Sequence, residues 1–237
     1  MQKSQSIQFS VTEVLQRISA ACERSGRSTD EVTLIAVSKT MPTEAIREAM
    51  AAGMLDFGEN RPQELRDKQA EITEPLRWHM IGSLQTNKLK YVVGKTVLIH
   101  SVDSVHLAQA IDEFSEKKGI VTDVLLEINI AGEGTKHGIA PEELEAFVRE
   151  LSVLSNVRVR GLMTVAPYTE DAEENRGYFR KMKQLMVDIN SKNIDNITMD
   201  VLSMGMTGDY EIAVEEGATH VRVGTGIFGH RSYPVKE

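Results

Sequence analysis

A lysine, an arginine and two glycine-rich turns are the residues of this chain whose types and spacing could do chemistry. Lys39 ends the apolar run LIAVS in LIAVSKT. Desolvation at the end of a buried strand lowers a lysine's pKa and makes its amine nucleophilic, although most lysines in such places are simply solvated. Arg222 lies in THVRVG (219–224), where alternation sends Val221 and Val223 to one face and His220, Arg222 and Gly224 to the other. A guanidinium keeps its proton, so one turned inward needs an acceptor or an anion. Structural pairing with a carboxylate such as Glu127 satisfies that need as well as a ligand does. GTGIFG (224–229) follows this run, and SMGMTGD (203–209) precedes it with the hydroxyls of Ser203 and Thr207. Backbone amides at such turns cradle phosphate-sized anions. Either turn alone reads as a plain turn; the pair points to a phosphate site. An amine and a phosphate cradle together suit a pyridoxal phosphate pocket, and equally an aldolase that uses its lysine on a sugar phosphate.

Other polar groups are less committed. Asn60 and Arg61 in GENRPQE (58–64) could cap a helix or reach a site, and His79 in WHMIGSLQTNK (78–88) reads equally as a core histidine or a ligand. Lys136 and His137 sit on the glycine-rich tip AGEGTKHG (131–138). The six histidines show no metal-ligand spacing, and neither a GxSxG elbow nor a P-loop occurs. No catalytic acid, base or metal site is expected.

The elements that must position these groups alternate strictly. Strand-like runs fall at 34–38, 54–58, 78–82, 96–100, 123–130, 157–164, 197–202 and 219–224. Helical periodicity fills the seven intervals, near 43–52, 60–74, 86–93, 104–118, 141–151, 171–190 and 208–216, with a further helix near 10–25. EAMAAG and AVEEG each end on a glycine directly before a strand. Eight such repeats in 237 residues predict an α/β fold, a single (β/α)8 TIM barrel spanning 1–237 as one domain, with residues 1–9 and 231–237 as flexible tails. Lys39 then lies on the carboxyl-end rim, where barrel sites are built.

Composition narrows the function classes. Twenty-seven basic against 35 acidic residues give a net charge of −8, a poor basis for nucleic-acid binding. One cysteine, Cys22, excludes a disulfide framework. The N-terminus has no signal-peptide pattern and no run is long and apolar enough for a membrane span, so a cytoplasmic location is expected.

LIAVSKT, FGENRPQE, WHMIGSLQTNK, NIAGEGTKHG, GLMTVAP and LSMGMTGDYEIAVEEGATHVRVGTGIFG, in this order, resemble the pyridoxal phosphate homeostasis family, the YggS/PROSC-type proteins. The resemblance runs from about residue 34 to 230. It implies a barrel similar to the N-terminal domain of alanine racemase, with pyridoxal 5'-phosphate held covalently at its rim. Lys39 matches the family's Schiff-base lysine. Ser203 and the amides of Gly224 and Thr225 match phosphate-binding positions, Arg222 the arginine that meets the pyridine nitrogen, and Asn60 and Met204 residues beside the ring. Lys136 falls in a motif implying transient cofactor contact. Pro62 departs from the pattern, which has an aliphatic residue there. The sequence ends at Glu237 without the C-terminal domain that gives alanine racemase its tyrosine base, and Tyr233 is a poor substitute. The implied role is a monomeric carrier that stores, buffers and delivers pyridoxal phosphate, with apo-enzymes as transient partners and indirect effects on amino acid and keto acid balance. A slow amino acid racemase is the rival reading.

Overall fold

The structure, a computed structural model, describes residues 6–134 and 137–229. Short apolar runs become strands because each is buried on both faces, between a packed lumen and a coat of helices. The strands are β1 (Thr33–Val37), β2 (Asp56–Glu59), β3 (Arg77–Met80), β4 (Leu98–Val102), β5 (Thr122–Glu127), β6 (Val157–Met163), β7 (Ile197–Met206) and β8 (His220–Val223). Each is parallel to the next, and β8 pairs with β1 through Thr33–His220 to Ala36–Val223, closing the sheet in sequence order. This is the expected (β/α)8 barrel.

Between strands run α2 (Thr43–Ala51), α3 (Pro62–Glu71), α4 (Val105–Glu116), α5 (Leu144–Leu151), α6 (Arg176–Ser191), α7 (Tyr210–Glu215) and, after β8, the single turn α8 (Thr225–Phe228); a 3-10 segment, Thr86–Tyr91, fills the interval after β3. A helix of four residues is too short to cover the β8–β1 seam. α1 (Ile7–Ser25) does so instead, packing on α7, α8 and α2 and burying Val11, Val14, Ile18, Ala21 and Cys22. Its N-cap is Ser6, whose hydroxyl accepts the Phe9 amide, so residues 7–9 are helical rather than part of a tail. Among the described residues, no helix is long and apolar enough to cross a membrane.

Two element boundaries moved for physical reasons. β7 extends to Met206, four residues beyond the expected end: its ladder to β8 shifts register between Ser203 and Met206, and Gly205 (φ 89°) carries the chain through that bulge, so SMGM is strand rather than turn. β5 ends at Glu127 because Ile128 leaves the sheet to bridge Ile139. β6 is also bulged. Gly161 (φ 154°) approaches β7 so closely that a Cβ there would lie 1.8 Å from the Val201 carbonyl oxygen.

The large apolar core lies between sheet and helices. A separate cluster, Leu98, Leu125, Met163 and Val201, is formed apart from it. Leu98 shares its strand face with His100, which places the cluster in the lumen beneath the polar groups described next.

Candidate functional site

β1 delivers Lys39 to the rim, half-buried, in the turn after Ser38. The segment around it is clamped from β2 and α3. Ser38 donates its hydroxyl proton to Glu59 Oε1 (2.6 Å), and the Ser38 carbonyl accepts from Lys68 Nζ (2.7 Å). Lys68 also reaches Glu59 Oε1 and Glu64 Oε1, both at 2.7 Å. Glu64 Oε1 in turn accepts the Thr40 amide at 2.5 Å. Thr40 has φ 64°, a left-handed conformation unfavourable to a β-branched residue, so this contact holds a strained turn in place. Burial pushes the Glu59 carboxyl up against the opposing pull of Lys68 and Ser38. Its second oxygen, Oε2, is buried without a hydrogen-bond partner.

Next to Glu59, Asn60 is half-buried and its Oδ1 is likewise buried and unpartnered. Its backbone is fixed by the loop after β3: a Cβ on Gly82 would lie 2.6 Å from the Asn60 carbonyl oxygen, so only glycine permits this approach. Arg61 lines an open polar groove beside this loop with Glu44, Glu64 and Asp67.

On the other side of the β1–β8 seam, Arg222 is turned into the lumen as the alternation requires and is 4% exposed. It donates from Nη1 to Ser203 Oγ (2.6 Å) and from Nη2 to the Thr164 carbonyl (2.7 Å). Among the described residues no carboxylate comes within salt-bridge distance of it, so pairing with Glu127 does not explain its position. Burial pulls its pKa down to about 10, with Asp209 and Glu127 opposing at longer range; it stays a cation at neutral pH.

β8 ends at Val223 and is followed by the half-buried Gly224 and the exposed Thr225. Thr207 Oγ1 accepts from the amides of Gly224 and Gly226, both at 3.3 Å. A hydroxyl oxygen thus occupies the nest that these amides offer to an anion. Asp209 shapes the Thr207 turn by accepting the Met206 amide and the Asn175 side-chain amide. Because β1 and β8 are paired, Lys39 and this nest stand on neighbouring strand ends of one rim.

The structure separates two hydroxyls that the sequence left side by side. Thr207 stands at the amides, whereas Ser203, a fully buried member of the extended β7, lies below Arg222 in the lumen. Met204, next along β7, points to the opposite face and packs into the core under the helices. Lys136 lies outside the described residues, as does Tyr233. His137 stands 3.6 Å from Asp103.

Below the rim, His79 is a buried histidine bonded through Nε2 to Asp56 (3.1 Å) and through Nδ1 to His100 Nε2 (3.0 Å). His100, which sequence reasoning missed, continues to Ser203 Oγ (3.0 Å). Its signal was its place two residues after Leu98, on the lumen face of TVLIH. Burial, aided by the neighbouring His79, His220 and Arg222, drives the His100 pKa well down. Burial also lowers His220, to about 4. Among the described residues, no group of His, Cys, Asp or Glu is arranged to hold a metal ion.

A family described as alanine racemase, N-terminal domain, matches residues 14–232. A pyridoxal phosphate homeostasis protein of Aquifex aeolicus is 47% identical over 94% of this chain and 97% of its own, and that of Escherichia coli K12 is 38% identical over 97% and 99%. Among solved structures, PipY of Synechococcus elongatus with PLP bound is 39% identical, with a TM-score of 0.80 over 91% of this chain and all of that one (100%). An alanine racemase of Clostridium difficile shares the fold at 16% identity, with a TM-score of 0.69 over 96% of this chain and 57% of its own. A rim lysine beside an amide nest, a lumen arginine and relatives matched along nearly their whole length agree: the chain belongs to the pyridoxal phosphate homeostasis protein family, within the alanine racemase N-terminal-domain proteins.

Proposed function

We propose that this protein binds pyridoxal 5'-phosphate at the barrel mouth and holds it in reserve for other proteins. The observation that carries the reading is the placement of Lys39 and the Gly224–Gly226 amides on paired strand ends, with Arg222 buried between them and the lumen. The residues fit the cofactor. The amide nest, now filled by the Thr207 hydroxyl, suits a phosphate, and the orphaned Asn60 Oδ1 awaits a donor. That PipY has been solved with PLP supports the same assignment. Pyridoxal phosphate supplies an aldehyde that condenses with amines and a pyridine ring that withdraws electrons.

Lys39 presents the amine, on a turn held by the Glu59–Lys68–Glu64 cluster. Thr207 and the amides of Gly224, Thr225 and Gly226 take the phosphate, aided by the start of α8. Arg222 would meet the ring nitrogen, with Ser203 bracing the guanidinium. A guanidinium gives up no proton at neutral pH and opposes protonation of a nitrogen beside it, so Arg222 would keep a ring held there a weak electron sink. Residues that bind firmly but withhold electrophilic activation suit a reserve better than a turnover enzyme. The chain acts as one cytoplasmic unit, a monomer, and meets apo-enzymes transiently. Exposed large apolar side chains, among them Phe9, Leu55, Val153, Tyr168 and Val187, are scattered over separate elements, which supports the monomer.

Borohydride reduction of cofactor-loaded protein, followed by peptide mass mapping, tests the site. A pyridoxyl group on the peptide containing Lys39 is expected; its appearance only elsewhere overturns the assignment. Racemisation of amino acids at enzymatic rates, abolished in Lys39→Ala, would replace the carrier by the racemase reading.

A further inference from the structure

The lumen below Arg222 holds a run of polar side chains that ligand binding does not by itself require. It begins at the floor with Arg77, whose Nε donates to Asp56 Oδ1 at 2.8 Å and whose Nη2 bonds Oδ2. It continues through His79, His100 and Ser203 to Arg222, every link between 2.6 and 3.1 Å. Both ends are directional. Arg222 only donates, and an ionised carboxylate such as Asp56 only accepts. His79 Nε2 must therefore carry a hydrogen toward Asp56. With His79 neutral, its Nδ1 accepts from His100 Nε2–H, which leaves His100 Nδ1 as an acceptor with a single neighbour, the Ser203 hydroxyl. Ser203 then donates to His100 and keeps its oxygen lone pairs for Arg222. The reverse direction needs a doubly protonated His79, yet Arg77 already matches the Asp56 charge. His220 packs its ring 6.1 Å from His79 and 6.3 Å from His100 but bonds Thr219 instead, walling the chain without joining it. Besides His79 and Asp56, the charged groups that act on His220 are Asp200 and Arg160, which bond each other.

We infer that His79 and His100 are positioning residues for Arg222: a one-way hydrogen-bond chain from Ser203 to Asp56 accepts the serine hydroxyl hydrogen as a hydrogen bond and so leaves the serine oxygen as a fixed acceptor for the guanidinium. Arg222 is thereby held between two neutral oxygens, Ser203 Oγ and the Thr164 carbonyl. A carboxylate in place of Ser203 would fix the arginine too, but would also cancel the positive charge presented to the ring. Using the histidine chain keeps that charge intact. The inference rests on the reading of Arg222 as the residue facing the ring, and its test separates the two.

Histidine-labelled protein without cofactor, read by long-range nitrogen–proton NMR at neutral pH, should show Nε2–H and an unprotonated Nδ1 on both His79 and His100. An Nδ1–H tautomer on His100, or an imidazolium at His79, overturns the inference. In the same unloaded protein the Arg222 guanidinium N–H signals should be resolved, merge through free rotation in His100→Leu, and separate again in His100→Asn, whose carbonyl can replace the Nδ1 acceptor. Signals indifferent to both variants also overturn it. Titration with pyridoxal phosphate should show binding weakened about tenfold in His100→Leu and largely restored in His100→Asn. Correct tautomers and a rotating Arg222 with unchanged cofactor affinity would leave the chain standing and place the cofactor ring elsewhere.

Discussion

A buried cation without a paired anion is expensive, and Arg222 exists in that condition because neutral oxygens and long-range carboxylates share the load. Arg222→Gln should therefore fold but bind pyridoxal phosphate about tenfold more weakly, while Arg222→Glu, which reverses the charge opposite the ring, should lose more than that; absorbance titration reads both. The buried histidines also set an acid limit. An unfolded histidine takes its proton near its ordinary value of about 6.5, but His220 in the folded protein does so only at about 4, and burial holds His100 well below its ordinary value too. Between those values the unfolded chain binds more protons, so stability is complete above about 6.5 and falls as the pH drops toward 4. Asp56 acts in the same direction further down. Burial pushes it up, but Arg77 and His79 outweigh burial and hold it at about 2, so its contribution is lost as the pH falls from its ordinary 3.8 toward that value. Urea midpoints measured from pH 7.5 to 4 should decline, and His220→Gln should flatten part of that decline. A midpoint independent of pH would contradict it.

Among the elements, α3 does more than cover the sheet. Its Lys68 and Glu64 reach over β2 to hold the β1 turn on which Lys39 sits, and Lys68 is the counter-charge of the fully buried Glu59. Removing one partner of a buried pair strands the other. Lys68→Met should cost about 3–5 kcal/mol in chemical denaturation, and adding Glu59→Gln should recover a large part. The same single variant should slow attachment of the cofactor to Lys39, because the Ser38–Thr40 turn loses its anchor. At β6, Gly161→Ala forces a Cβ against the Val201 carbonyl and must part the β6–β7 ladder. A loss of at least about 2 kcal/mol is expected. An unchanged unfolding midpoint would mean that the bulge relaxes without cost.

At the scale of the whole molecule, the N-terminal helix is part of the barrel wall. Since α8 is a single turn, deletion of residues 1–25 exposes the apolar seam over β8 and β1 that α1 buries, and with it the two strands that carry the site. The truncated protein should bind a hydrophobic dye and lose its near-ultraviolet circular dichroism; unchanged signals in both would mean that α1 is dispensable to the barrel wall.

The eight alternating strands, the barrel and the inward turn of Arg222 were legible from the sequence alone, since apolar runs and side-chain alternation are local signals; that Lys39 and GTGIFG stand on neighbouring strand ends, rather than on opposite sides of the mouth, was not. The LIAVSKT and THVRVG segments carry that information within seven residues or fewer. Closure decided the rest. Successive members of the run Asp56, His79, His100 and Ser203 are separated by 21 to 103 positions along the chain and meet only because the eight strands wrap round one lumen. Thr207 displaced Ser203 at the amide nest because a bulge at Gly205 kept the strand going past a glycine that resembled a turn. Glu59 and Lys68, nine positions apart, carry no sequence signal that pairs them; burial makes each the other's necessity. Patterns along a chain report which face a side chain takes; only the packed barrel sets which other side chains share that face, and hence where the protons and charges come to rest.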